Sequence, residues 1–268
     1  MVKTIGVISI KGGVGKTTIA SSLAADLVNH YGKKVLLVDA NYSAPNLGLH
    51  MDIVETKKTI HDVLNNKCHI KNAIHNKFGV DVIPGSYVHN GKLNYFKLKD
   101  KIKSVKDNYD FVIIDSSPSL NEEVLSTMLA SDNLFLVTTP DYPTLSCSLR
   151  AAKLAKQRGR NIDGIIINKI RDPSFEVSLK EIEESVGIPV IARIHDDGIH
   201  TRALFTRIPA SVYNRNSKFG KEINKLGSAL TGNNEKRSFL GKIFGEGYKK
   251  EEVNRQLLKE SFYRSMFK

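Results

Sequence analysis

A glycine-rich segment near the start of the chain has the residue types that hold phosphate groups in proteins. Its residues are Lys11, Gly12, Gly13, Val14, Gly15, Lys16, Thr17 and Thr18. Glycines let the backbone turn tightly enough for consecutive amide groups to face phosphate oxygens, and the start of the following helix favours negative charge. We therefore expect the Lys16 ammonium to contact the β- and γ-phosphates of a nucleotide and the Thr17 hydroxyl to bind Mg²⁺.

The first position of this segment departs from the usual phosphate-loop pattern. That pattern, G-x-x-x-x-G-K-[ST], requires glycine at position 10, where this chain has Ile10. The next residue, Lys11, adds a second lysine five positions before Lys16. The segment is therefore a variant phosphate loop with the pattern K-G-G-x-G-K-T.

Two aspartates, Asp39 and Asp115, each follow a short apolar run, at 35–38 and 111–114 respectively. The carboxyl ends of strands are where open α/β sheets bind ligands, and carboxylate oxygens suit Mg²⁺. A cap for the following turn or helix is the alternative role for Asp115. Because the variant loop lies in the same chain, metal binding is favoured, and Thr17 joins the two aspartates as the candidate Mg²⁺ ligands.

The variant loop resembles the deviant Walker A motif of the MinD/ParA ATPases. Segments 35–47 and 111–118 resemble the switch I segment of that family and its Walker B motif with switch II. Segments 137–143 and 165–171 resemble its later strands. The resemblance covers residues 1 to about 245.

The resemblance implies an ATPase that binds ATP with Mg²⁺ and forms a homodimer around two nucleotides. It implies that Lys11 reaches the nucleotide of the partner subunit and that Asn168 recognises the adenine edge. The residues it implies for catalysis are Lys11, Lys16, Asp39 and Asn41. Those it implies for nucleotide binding are Gly12, Gly13, Val14, Gly15, Lys16, Thr17, Thr18, Asn168 and Arg171.

Residue 41 departs from the pattern of that family. MinD/ParA proteins generally carry D-x-D in switch I, where the second aspartate is associated with the attacking water, and this chain has Asp39, Ala40 and Asn41. An amide can orient water through its oxygen, but it lacks the charge that makes a carboxylate an effective proton acceptor. We therefore predict slow hydrolysis with nucleotide binding retained. The sequence is compatible with a natural slow switch and with a substitution that traps the ATP-bound state.

Short β-rich runs alternate with helical patterns along the chain. The runs are 4–10, 34–38, 80–83, 111–114, 134–138, 164–168 and 189–194. Such alternation predicts βα units and a mostly parallel sheet, and the continuous apolar character of the runs predicts helices on both faces. The predicted fold is an α/β three-layer sandwich of the P-loop NTPase type. It comprises a domain at 1–230, a linker at 231–237 and an amphipathic helical tail at 238–268.

The predicted tail carries apolar residues on one helical face beside basic ones. Phe239, Leu240, Ile243 and Phe244 recur at i, i+1, i+4 and i+5, and Lys242 lies among them. This pattern predicts a helix in a membrane interface, and it resembles the membrane-targeting sequence that ends MinD proteins. Docking on the protein's own core or on a partner is the alternative. A second stripe predicts another membrane contact, a dimer element or a partner helix. Its residues are Val253, Leu257, Leu258, Phe262 and Met266.

The composition favours an anionic partner. The chain has 268 residues, 40 Lys+Arg against 28 Asp+Glu, a net charge of +12 and 41% apolar residues. These values exclude a disordered chain, and the short apolar runs exclude a membrane-spanning helix. Cys68 and Cys147 form no CxxC pair, which excludes an iron–sulfur carrier.

The leading hypothesis is a MinD-like ATP-dependent switch, peripheral on the cytoplasmic face of the cell membrane, that acts with a regulatory or cargo protein. The N-terminus has no secretion signal, so a cytoplasmic location is expected. One alternative is a ParA-like ATPase that binds DNA non-specifically through a basic surface. The residues of that surface are Arg202, Arg207, Arg215, Lys218, Lys221 and Lys225. Another alternative is a hydrolysis-deficient scaffold.

Overall fold

An eight-stranded sheet forms the centre of the protein. The computed structural model describes residues 2–89, 91–172, 174–233 and 249–263. The strands are β1 (Lys3–Ile8), β2 (Val35–Ala40), β3 (His75–Lys77), β4 (Val80–Ile83), β5 (Phe111–Ser116), β6 (Asn133–Thr138), β7 (Gly164–Ile170) and β8 (Val190–His195). Within the described ranges their order is β3-β4-β2-β5-β1-β6-β7-β8. The β3–β4 pair is antiparallel and the other pairs are parallel.

Helices connect the strands on both sides of the sheet. They are α1 (Lys16–Tyr31), α2 (Leu47–His50), α3 (Ile60–Leu64), α4 (Leu98–Lys103), α5 (Glu122–Ala130), α6 (Tyr142–Gln157), α7 (Leu179–Val186), α8 (Ile199–Thr206), α9 (Ala210–Tyr213), α10 (Lys218–Leu230) and α11 (Lys250–Tyr263). Three short 3₁₀ helices lie at Ile70–Ala73, Tyr95–Lys97 and Lys106–Asn108. Among the helices in the described ranges, none combines the length and the apolar character needed to cross a membrane.

The apolar core lies on both faces of the sheet. In β2, Val35 and Leu37 join a cluster that includes residues of α1, α10 and α11, whereas Leu36 and Val38 join a second cluster with α3 and α4. Residues of α5, α6 and α7 cover the later strands in a third cluster. Successive side chains of a strand point to opposite faces, so a strand that is apolar throughout needs helices on both sides. The predicted three-layer α/β sandwich is confirmed.

Helix α11 packs onto the main domain. Leu258 and Phe262 are buried in the cluster that α1 and α10 share, and the Phe262 ring stacks on Phe135 of β6 with 6.5 Å between centroids. The Tyr263 hydroxyl donates a hydrogen bond to the Leu230 carbonyl at 2.6 Å. Residues 250–263 therefore belong to the core and not to the tail predicted from 238 onward, which is a correction. Leu258 and Phe262 of the predicted second stripe pack against the core of the same chain. Residues 238–248 lie outside the described ranges.

Side chains protect the edge of the sheet at β8. The Glu183 carboxylate accepts the Val190 amide at 2.7 Å, and the Asn254 amide donates to the Val190 carbonyl at 2.7 Å. The Arg255 guanidinium donates to the Ile191 carbonyl at 2.8 Å and to Glu222 at 3.0 Å. An edge strand otherwise presents unpaired backbone groups that can pair with another chain. Helix α11 therefore supplies polar partners to β8 as well as apolar cover to the sheet.

We predict that Phe262→Ala lowers the free energy of unfolding by about 3–5 kcal/mol, because it removes a buried ring and leaves a cavity against β6. Leu257→Ala on the same helix is the control. The Leu257 side chain is 57% exposed, and its truncation should change stability by less than ~0.5 kcal/mol. Urea denaturation followed by circular dichroism measures both values. Equal, small losses would contradict the docking of α11.

Candidate nucleotide-binding site

The glycine-rich loop connects β1 to α1 in a conformation that requires its glycines. Gly13 and Gly15 have φ angles of +76° and +95°, which side chains strongly disfavour. Gly15 immediately precedes α1, so the amides that lack partners in the first turn of this helix face the loop. A backbone of this shape at a helix N-terminus favours the binding of an anion.

Asn168 packs against the back of the loop. Its side-chain amide donates to the Val14 carbonyl at 2.7 Å, and a Cβ atom added to Gly15 would lie 2.3 Å from the Asn168 nitrogen. The β7–β8 pairing is irregular at this point, and Lys169 has a φ of +58°. In this structure Asn168 therefore supports the loop. Its predicted contact with an adenine edge stays a prediction.

Lys16 and Thr17 lie at the start of α1, opposite Asp115. The Thr17 hydroxyl donates to Asp115 Oδ2 at 2.7 Å, and its oxygen lies 3.0 Å from Asn46 Oδ1. Burial lowers the pKa of the Lys16 ammonium, and the Asp115 charge opposes that effect. A buried lysine and a buried carboxylate in one place provide both charges that a phosphate–metal complex requires.

Asp39 and Asp115 are paired across strands β2 and β5 and are both fully buried. Burial and then the neighbouring Asp115 charge raise the pKa of Asp39 to about 8, while burial raises the pKa of Asp115 to about 6. Asp39 accepts the Asn41 amide at 3.0 Å and the Leu47 amide at 3.1 Å. Two adjacent carboxylates in a region of low dielectric favour the binding of a divalent cation.

These residues fit ATP with Mg²⁺. Asp115 Oδ1 is buried and has no hydrogen-bond partner among the described residues, so one hard oxygen ligand remains available beside Thr17. Bound Mg²⁺ would neutralise charge on the phosphate oxygens. The Lys16 ammonium would hold the β- and γ-phosphates, and the loop amides would orient them. The predicted metal set of Thr17, Asp39 and Asp115 is brought together in space, although its role stays a prediction.

Asn41 uses its amide nitrogen within the segment that follows β2. It is buried and donates to the Ala44 carbonyl at 2.6 Å, while its Oδ1 has no partner among the residues that the structure describes. A carboxylate cannot make this donation. Asn41 therefore closes a turn in switch I through its nitrogen, and its predicted role toward the attacking water stays a prediction.

Lys11 and Arg171 line a groove of about 560 Å³ on the outer side of the loop. The Arg171 guanidinium also donates to Asp196 at 2.8 Å. Tyr142 and Phe175 border the same groove with side chains that are 66% and 91% exposed. The predicted site residues therefore divide into a buried set around Asp115 and an exposed set around Lys11. The predicted membrane residues Phe239, Leu240, Lys242, Ile243 and Phe244 lie outside the described ranges.

Sequence reasoning missed two residues of this region. Asn46 directs its side-chain oxygen at the Thr17 hydroxyl, and Glu123 accepts a hydrogen bond from Ser43 of switch I. Asn46 lies within a segment that the sequence marked as switch I, so a polar residue there was a usable signal. Nothing in the spacing of Glu123 indicates its contact, because α5 and switch I meet only in the folded protein.

We predict that Asp39→Asn stabilises the ligand-free protein at pH 8 in EDTA. The folded pKa of Asp39 lies above the unfolded value of about 4, so the native state binds the extra proton and the stability of the parent falls as pH rises from about 4 to 8. The variant has no titrating carboxyl group at this position, so it lacks this loss. The free energy of unfolding of the variant relative to the parent should be at least ~1.4 kcal/mol higher at pH 8 than at pH 5. Urea denaturation at both pH values measures the gain. Parallel pH profiles for parent and variant would refute the assignment.

Known proteins are similar to this chain over most of its length. A family model described as an AAA domain matches residues 2–156. An uncharacterized ATP-binding protein of Methanocaldococcus jannaschii is 32% identical over 231 residues, covering 85% of this chain and 88% of that protein. The septum site-determining protein MinD of Thermotoga maritima is 29% identical over 246 residues, covering 87% and 89% of the two chains.

A solved structure is also similar to most of the chain. The septum site-determining protein MinD of Pyrococcus horikoshii, in complex with Mg-ADP, is 31% identical and has a TM-score of 0.80, covering 86% of this chain and 96% of that one. The sequence motifs, the fold and these relatives agree, and they confirm the resemblance. The chain belongs to the MinD/ParA family of P-loop ATPases and is an ATPase that uses ATP and Mg²⁺.

Proposed function

We propose that this ATPase is a MinD-like switch that dimerises around ATP and then associates with an anionic membrane through residues 238–248. The observation that carries the proposal is the exposed Lys11 beside the phosphate loop. In a monomer, the Lys11 residue is exposed. A second copy with its own nucleotide would place polyphosphate against this lysine, and opposite charges in a buried interface attract strongly.

The surface around Lys11 favours a second protein copy. Tyr142 and Phe175 present exposed aromatic rings next to the groove that contains Lys11 and Arg171. Aromatic and arginine side chains at the centre of an interface contribute a large share of binding energy. Such rings beside a charged phosphate site fit a partner that brings both apolar surface and negative charge.

The proposed membrane contact depends on the apolar face at Phe239, Leu240, Ile243 and Phe244 and on the charge of Lys242. Each buried apolar side chain could supply ~1.5–3 kcal/mol, and each nearby basic residue ~1 kcal/mol on an anionic surface. Ordering the segment offsets much of this gain, so one copy should bind weakly. Two copies on one ATP dimer gain avidity on the order of 10²–10⁴. ATP would thereby control a cytoplasmic and a peripheral membrane state.

Asn41 supports a slow form of this switch. It provides an uncharged water acceptor where the family generally has aspartate, and it holds Ala44 through its nitrogen. Slow hydrolysis would prolong the ATP-bound dimer, and a protein partner would then be needed to accelerate release. That partner is the regulatory or cargo protein expected from the sequence.

A ParA-like DNA-binding function is the second candidate, because α8 to α10 carry exposed basic residues, among them Arg202, Arg215, Lys218 and Lys221. Two other members of the predicted DNA surface are in ion pairs: Arg207 with Asp52 at 3.8 Å and Lys225 with Glu222 at 3.1 Å. These pairs reduce the charge available to phosphates. A nucleotide-bound scaffold without hydrolysis is the third candidate, and Asn41 is the residue that favours it.

We predict that Lys11→Ala retains ATP binding but stays monomeric, because the loop amides and Lys16 remain while the charge offered to a second nucleotide is lost. Light scattering with Mg·ATP should report a dimer for the parent and a monomer for the variant, and calorimetry should report similar ATP affinity for both. Lys34→Ala, which changes an exposed lysine just beyond the opposite end of α1, is the control. A dimeric Lys11→Ala protein would remove the main support for the nucleotide-bridged dimer.

We predict that flotation on anionic liposomes requires ATP. It should fall at least tenfold when Phe239 and Phe244 are both changed to glutamate, because the apolar contribution of both rings is lost; a tenfold loss corresponds to ~1.4 kcal/mol. Salt should also weaken flotation, because it screens the attraction between the basic residues and the anionic lipid. Truncation at residue 232 is an unsuitable test, because it would also remove Leu258 and Phe262 from the core.

Leu257→Glu on the exposed face of α11 is the matched control for this experiment, and it should float like the parent. Co-sedimentation with DNA under the same nucleotide conditions is the second arm. Binding to DNA with no ATP-dependent flotation would favour the ParA-like function over the membrane switch.

A further inference from the structure

The switch I segment, defined by residues 41–46 between β2 and α2, is held in place by contacts from several elements. Tyr42 is buried, and its carbonyl lies 3.1 Å from His61 Nε2. The ring of Tyr42 stacks on Tyr95 at 5.4 Å and meets the His61 ring edge-on at 6.0 Å. Together with the Thr17–Asn46 contact, these interactions fix the two ends of the segment.

Glu123 contacts the middle of this segment from the opposite side. Its carboxylate accepts a hydrogen bond from the Ser43 hydroxyl through Oε1. The Glu123 side chain is 2% exposed, and its Oε2 has no partner among the described residues. A hydrogen bond in a buried region of low dielectric is stronger than one between groups in water. Among the described residues, the Ser43 hydroxyl is therefore the hydrogen-bond donor to the Glu123 carboxylate.

Hydrogen bonds also connect Glu123 to the Walker B side of the site. It lies in the first turn of α5, where its amide donates to the N-cap residue Asn121 at 3.1 Å. Asn121 also accepts the Ser117 hydroxyl at 3.2 Å, and Ser117 lies two residues after Asp115. A short, hydrogen-bonded path thus leads from the Walker B strand to Glu123 and across to switch I.

We propose that the Ser43–Glu123 hydrogen bond is a clasp that couples the two switch segments and slows the release of nucleotide. Glu123 is a positioning residue, because it acts through Ser43 of switch I. The pairing of β2 with β5 fixes Asp39 beside Asp115. With the clasp formed, Asn46 of switch I stays beside the Thr17 hydroxyl. Breaking it frees the middle of switch I to move away from the site.

The alternative role for Glu123 is to stabilise helix α5, because acidic residues stabilise the first turn of a helix. The neighbouring Glu122 shares this benefit and is exposed. The pair of glutamates therefore separates the two roles. Glu122→Ala removes a first-turn charge alone, and Glu123→Ala also removes the acceptor for Ser43.

The test uses the full chain and measures release of fluorescently labelled ATP and ADP by stopped flow. Glu123→Ala and Ser43→Ala should each speed ATP release about tenfold, a factor equivalent to ~1.4 kcal/mol. The double variant should release no faster than the faster single variant, because both changes remove one interaction. Glu123→Gln keeps an acceptor oxygen for Ser43 and should stay within about threefold of the parent. Glu122→Ala should match the parent.

Hydrogen exchange supplies a readout that a stability role would not move. Amides of residues 43–47 should exchange faster in Glu123→Ala and Ser43→Ala, while exchange in α6 and the melting temperature of Ser43→Ala stay near the parent values. Additive effects in the double variant, or equal effects of Glu122→Ala and Glu123→Ala, would overturn the proposal. If Glu123→Ala fails to fold, Ser43→Ala and Glu123→Gln decide the question, and an unchanged release rate in Ser43→Ala refutes the clasp.

Discussion

Two carboxylates, Asp39 and Asp115, lie buried side by side at the ends of neighbouring strands, and the rest of the site is arranged around their charge. Burying like charges together is costly unless other groups compensate. Backbone amides of Asn41 and Leu47 donate to Asp39, and the Thr17 hydroxyl donates to Asp115. This compensation is incomplete, as the raised pKa values of both aspartates indicate. A site that is electrostatically unfavourable alone gains stability when a cation and a phosphate bind, so nucleotide binding and closure of the site favour each other.

The strand order determines which residues share this site. β5 lies between β1 and β2, so the loop after β1 and the aspartates of β2 and β5 meet at one edge, although they are far apart in sequence. The local patterns were enough to predict the loop, both aspartates and the layered fold, because each depends on a few neighbouring residues. The contacts of Asn168 and Glu123 depend on an irregular β7–β8 pairing and on the approach of α5 to switch I. No local pattern contains that information.

The C-terminal helix α11 is a second case in which a local sequence pattern did not determine a tertiary contact. Helical spacing correctly indicated that Leu258 and Phe262 share an apolar face, but it also included Val253 and Leu257, which are exposed. Residue spacing shows which side chains share one face of a helix, but it does not show what that face packs against. The partner here is the protein's own sheet, and Asn254 and Arg255 on the same helix add hydrogen bonds to the β8 edge. The sequence analysis made no prediction for these two polar residues, although both are buried in the folded protein.

Docking of α11 changes the physical setting of the segment proposed to bind membrane. α10 ends at Leu230 and α11 begins at Lys250, and both helices pack on the same domain. The chain between them therefore has two attached ends, unlike a free C-terminal tail. Loop closure reduces the conformational freedom that insertion would otherwise remove, but it also limits how far the apolar residues can reach from the domain. Insertion would then require this side of the domain to face the bilayer. In a dimer joined at the nucleotide groove, both copies would have to present that side to one surface at once. The geometry of the proposed dimer, as well as the affinity of each segment, would then determine membrane binding.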